Sequence, residues 1–205
     1  MILVQIWCNT LCTFKVFYGI ITLSSYLLDK LEFNEGKMNK RVRQYVGLLS
    51  AIIAYYLIHE GAHLIYALSI GAFKRTNFMG LGMQIDIYSE KITQAQLGVF
   101  CLIGSVVTLL SAYILIALIG KIAKLTSKAL KACAYYITIA MLLIDPLYLS
   151  VLCGFFGGGD MNGIKLLVPE VVARIIYGVI LLVNALIFIK VVLPKYKIAF
   201  SGESQ

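Results

Sequence analysis

Apolar positions in this chain gather into five long runs, over roughly residues 4–28, 46–70, 97–120, 132–156 and 171–193. Each reaches the length of ~20 residues that a helix needs to cross a bilayer. The pattern predicts an all-α membrane protein, a polytopic bundle of about five transmembrane helices. No repeat, low-complexity tract or linker separates the runs, so residues 1–205 read as a single integral membrane domain. Lys15 interrupts the first run, and a lysine inside a span has to snorkel to the interface. The N-terminus lacks the basic stretch and small-residue cleavage site of a signal peptide, so this run is expected to remain as a membrane segment.

The connection over 71–96 follows a different period. Met79, Leu81, Met83, Ile85 and Ile87 are apolar, and Gly80, Gly82, Gln84 and Asp86 lie between them. Alternation of period two predicts a β-strand from Phe78 to Tyr88, within a small β-hairpin or strand insertion near residues 76–90. Such a strand can cap the bundle with its apolar face and pair an extended peptide along its edge. Gly80, Gly82 and Gln84 are thereby candidates for substrate contact. The fourth run is interrupted by Asp145-Pro146 and closed by Gly157-Gly158-Gly159. Proline removes a backbone donor and a glycine run does not hold a straight helix, so a kinked or broken helix leading into Asp160 is expected.

Composition agrees with the pattern. Hydrophobic residues make up 60% of the chain and charged ones 14%, with mean hydropathy +0.89, against about 25% charged in soluble domains. A water-soluble domain is excluded. The net charge of +8 would suggest nucleic acid in a soluble chain, but here the cations mark loops and lipid headgroups. Lys30, Lys37, Lys40, Arg41 and Arg43, then Lys121, Lys124, Lys128 and Lys131, then Lys190, Lys195 and Lys197 fall on one side if all five runs cross. Lys74, Arg75, Lys91 and Lys165 fall on the other. The positive-inside rule then predicts an outside N-terminus and a cytoplasmic C-terminus. Cys8, Cys12, Cys101, Cys133 and Cys153 all lie in apolar stretches and read as small buried hydrophobes.

Candidate chemistry sits in the second run, which contains His59-Glu60-Gly61-Ala62-His63. The spacing i, i+4 stacks the two imidazoles on one helix face, where they can chelate a single ion. Glu60 is placed to take a proton from a metal-bound water. These are the only two histidines of the chain, and ionisable groups at membrane depth are functional candidates by default. A catalytic zinc takes three protein ligands and keeps one position open. Asp160, set among glycines, is the leading third ligand, with Asp145 and Cys153 as alternatives; Asn162 is a candidate to orient a ligand or bind a substrate backbone.

Together these features resemble the site-2 protease family of intramembrane zinc metalloproteases. His59, Glu60 and His63 match its HExxH motif. Gly104-Ser105-Val106-Val107-Thr108 is similar to its G-P-x-x-N pattern, with serine for proline and threonine for asparagine. Asp160 stands where the family's L-D-G aspartate does, with Gly159 and Met161 as altered neighbours. The likeness covers roughly residues 46–168 as a metalloprotease-like core. It implies one Zn²⁺ per chain, held by His59, His63 and Asp160, with Glu60 as general base. It further implies a transmembrane protein or peptide as substrate, and a bilayer, such as a prokaryotic plasma membrane, as the setting. Two other readings stay open: a catalytically inactive family member serving as scaffold or immunity factor, and a small transporter, for which no inverted repeat is detectable.

Overall fold

The computed structural model describes residues 39–79, 82–156 and 159–201. The apolar run over 4–28 with Lys15, the cations Lys30 and Lys37, and Gly80 lie outside the described residues. In chain order the described elements are helix α1 (Lys40–Ser69), strands β1 (Phe73–Met79) and β2 (Gly82–Ile87), helices α2 (Gln94–Ala117) and α3 (Lys128–Leu147), the short α4 (Met161–Ile164) and α5 (Glu170–Ile187). A π-helical turn over Tyr148–Leu152 and a further turn over Cys153–Phe156 extend α3; a π turn over Phe188–Val192 and the helix Leu193–Ser201 extend α5. Four of these helical stretches, Lys40–Ser69, Gln94–Ala117, Lys128–Phe155 and Glu170–Ser201, are long and apolar enough to cross a membrane. They correspond to the last four of the five predicted runs.

Local sequence explains where these helices begin. Asn39 accepts from the Arg41 amide, Ser127 accepts from the Leu130 amide, and Thr93 forms a reciprocal capping box with Gln96. Each cap satisfies backbone donors that the first turn leaves without an intrahelical partner. The expected break at Asp145-Pro146 takes a milder form. The α3 helix runs through Pro146 to Leu147 and widens into the π turn, where Ser150 Oγ donates to the Pro146 carbonyl at 2.5 Å. Pro146 has no N–H to give to the Leu142 carbonyl one turn earlier, and that carbonyl accepts instead from the Asn184 side-chain amide at 2.8 Å.

The β insertion is a hairpin, one of the two forms expected near residues 76–90, but its strands are bounded differently. The single strand expected from Phe78 to Tyr88 is two strands, paired antiparallel with Met79 opposite Gly82 and Asn77 opposite Gln84. The chain reverses between Met79 and Gly82, and the apolar–polar alternation continues across the reversal, so periodicity alone could not reveal it. The hairpin packs on α1, with Ile85 buried beside Ala67 and Phe100. On its polar face Asp86 accepts from Arg75 and Asn77.

Helix α1 lies along both α3 and α2, and α4 lies against α2. Lipid is as apolar as a leucine side chain, so close packing and interhelical hydrogen bonds hold such bundles together. Asn184 of α5 is fully buried; its amide donates to the Leu142 carbonyl at 2.8 Å and its oxygen accepts from Tyr113 at 2.7 Å. One side chain thus ties α5 to α3 and α2. Replacing it (Asn184→Leu) is expected to cost about 1 kcal/mol, read as a lowered thermal unfolding midpoint of the full chain in detergent micelles. An unchanged midpoint would show that this tie carries no weight.

Candidate metal centre

His59 and His63 lie on α1, one turn apart. At ~1.5 Å per residue, His59 sits roughly 15 Å from the Ser69 end, well inside the span. Both side chains are buried. The Nε2 atoms lie 3.2 Å apart, and Asp160 Oδ2, delivered just ahead of α4, lies 3.1 Å from Nε2 of His59 and 3.6 Å from Nε2 of His63. Asp160 therefore meets residues about a hundred positions earlier in the chain.

The protonation pattern follows from the partners. Nδ1 of His63 lies 2.7 Å from the Phe100 carbonyl, which can only accept, so Nδ1 carries the proton and Nε2 presents a lone pair. Nδ1 of His59 faces Asp145 Oδ1 at 3.4 Å, on the side of the ring away from His63 and Asp160. Two imidazole nitrogens and a carboxylate oxygen then converge, and such a triangle repels itself unless positive charge, a proton or a metal ion, lies between its corners. Bonds of about 2.0–2.1 Å at tetrahedral angles separate ligand atoms by about 3.3 Å, close to all three edges. His59, Glu60 and His63 also form a group, with ligand atoms within 4.8 Å of one another, that could hold a metal ion. Asp160 Oδ2 makes the closer third corner.

Close backbone approach shapes the centre. A Cβ at Gly104 would lie 2.6 Å from Nε2 of His63 and 2.8 Å from Nε2 of His59, so α2 presses against the metal-facing nitrogens at a point where only glycine fits. Gly159, next to Asp160, has φ +42°, and a Cβ there would lie 2.6 Å from the Tyr148 hydroxyl. Both positions favour glycine for reasons of space or backbone conformation.

Glu60 shares a cavity of about 540 Å³ with His63, Asp160, Gln84, Phe100 and Tyr148. Gln84 and Asn162, expected at a substrate site, are on its wall. Asn162 has its amide oxygen engaged by Lys165 Nζ at 3.0 Å. Gly82 opens β2 opposite Met79. The two alternative third ligands lie elsewhere: the Cys153 thiol donates to the Leu149 carbonyl of its own helix, and Asp145 stands on the Nδ1 side of His59. Sequence reasoning missed the Phe100 carbonyl behind His63 and the cavity-lining Cys101 and Tyr148. A backbone acceptor and ordinary apolar side chains leave no motif to find.

Gly104→Ala should lower divalent-metal affinity by roughly tenfold or more, the scale of lost support around a metal site. Competition with a chelator of known affinity reads this on the full chain; wild-type affinity would mean that α2 does not confine the centre. Neither a protein-family model, a curated protein nor a solved structure matches this chain, so its reading rests on these residues and their geometry.

Proposed function

We propose that this protein is an intramembrane zinc metalloprotease of the site-2 protease type, which cleaves a peptide bond in or near a transmembrane segment of a membrane protein or peptide. The observation that carries the reading is the meeting of His59 Nε2, His63 Nε2 and Asp160 Oδ2 within 3.1–3.6 Å, beside a cavity walled by Glu60. His59, His63 and Asp160 would hold the ion. Zinc bound there supplies a Lewis acid that polarises a carbonyl and acidifies a water.

The remaining work falls to the chain. Glu60 accepts a proton from the attacking water on its carboxylate and returns it to the leaving amine nitrogen. A substrate helix hides its carbonyls in its own hydrogen bonds, so it must unwind to be cut. Strand β2 offers a place to hold the unwound segment. Its partner β1 covers one edge, and the two-stranded sheet leaves the other unpaired among the described residues. Met83, Gln84 and Ile85 of β2 face the same cavity as Glu60, within reach of an extended peptide added along that edge. The basic connections at 118–127 and at both outer ends of the four-helix set support a cytoplasmic side there, with the hairpin and Asp160 toward the opposite face.

Glu60→Gln should keep zinc bound and lower cleavage of a helical substrate by about 10²-fold or more. Zinc content and cleavage of a labelled transmembrane peptide, measured on the same proteoliposome preparation, test this together. Cleavage at the wild-type rate would remove Glu60 from its role. Asp160→Ala should leave less than one zinc per chain, and full zinc in that variant would reassign the third ligand.

A further inference from the structure

We propose that Asp145 is a positioning residue of the metal centre: its carboxylate accepts from Nδ1–H of His59 and thereby turns Nε2 of that ring toward His63 and Asp160. The inference rests on the metal reading above and adds the residue that decides which nitrogen of His59 is available to the ion.

Asp145 is 2% exposed, in a helix long and apolar enough to cross a membrane. A group that costly to bury needs partners, and it draws them from two other helices. The Tyr55 hydroxyl of α1 donates to Oδ1 and the Thr108 hydroxyl of α2 to Oδ2. The Thr108 proton has a second acceptor in the Ser105 carbonyl at 2.9 Å and serves one at a time; Tyr55 holds Oδ1 in either case. The same Oδ1 lies 3.4 Å from Nδ1 of His59. That nitrogen is fully buried and has no hydrogen-bond partner among the described residues, and Asp145 Oδ1 is the carboxylate oxygen it faces. The Tyr55 ring stacks on the His59 ring at 5.4 Å and 24°, which limits rotation of the imidazole.

The two imidazoles are therefore oriented by different devices. Nδ1–H of His63 donates to the Phe100 carbonyl, whereas His59 has a side chain in the equivalent place. Without an acceptor at Nδ1, a neutral imidazole can move its proton to Nε2, and a protonated Nε2 cannot bind a metal. Direct ligation by Asp145 would need its oxygen on the Nε2 side, opposite to where it lies.

The test uses the full chain with ¹⁵N-labelled histidine in lipid nanodiscs. The sequence contains two histidines, so NMR reads two imidazoles, each assigned through its own backbone. Zinc-loaded wild type should show Nδ1–H and a metal-bound Nε2 on both rings. Asp145→Leu should lower zinc affinity by about 10–100-fold and remove the Nδ1–H signature of His59 while leaving that of His63 intact. A general packing defect would disturb both rings alike. Asp145→Asn, whose amide oxygen still accepts, should keep the His59 tautomer and lose less than about tenfold in affinity. Wild-type His59 bound through Nδ1, or Asp145→Leu with unchanged affinity, would overturn the inference while leaving the metal site standing. Asp145→Asn as devoid of zinc as Asp160→Ala would make Asp145 a ligand and overturn it equally. A wild type that takes up no zinc would instead remove the metal reading itself. Should Asp145→Leu fail to fold, the wild-type tautomer and Asp145→Asn decide the matter.

Discussion

His59 Nε2, His63 Nε2 and Asp160 Oδ2 converge across 3.1–3.6 Å inside a bundle of apolar helices. In so poorly screened a place, such an arrangement persists only with positive charge at its centre. Much else in the structure serves that constraint. Gly104 lets α2 come within van der Waals reach of both nitrogens, Phe100 and Asp145 fix the far sides of the rings, and Gly159 takes the left-handed conformation that leads the chain into Asp160. Space and proton placement around the centre are thus set by three helices and a loop together.

Membrane burial raises the stakes of each polar group. An ionisable side chain in hydrocarbon is costly unless paired, and the described helices bring their buried polar groups together. Tyr55, His59, Thr108 and Asp145 form one connected set, and Ser105 meets Tyr177 at 2.5 Å nearby. The second motif gains a physical meaning here. Gly104 makes room for the imidazoles, Ser105 links α2 to α5, and Thr108 secures Asp145.

Much of this was legible in the residues, and unevenly so. Long apolar runs announce their helices because crossing a bilayer demands length and greasiness that few other structures need; four of the five runs correspond to helices among the described residues. The His-x₃-His spacing foretold two rings on one face, since helical geometry alone guarantees it. That Asp160 lies beside them depends on tertiary packing across about a hundred residues, which no local pattern encodes. A small hairpin near residues 76–90 was legible, but its turn was not, because alternation does not register a reversal between Met79 and Gly82. Asp145 stood out as an acid within an apolar run, yet its role depends on which side of an imidazole it occupies. Sequence spacing cannot tell the Nδ1 side from the Nε2 side.

Zinc K-edge X-ray absorption on the purified full chain tests the central claim most directly. The account expects about one zinc per chain, bound by two imidazole nitrogens and a carboxylate oxygen at about 2.0–2.2 Å. A protein that retains no zinc after exposure to it, or a shell built of sulfur at about 2.3 Å without imidazole, would contradict it.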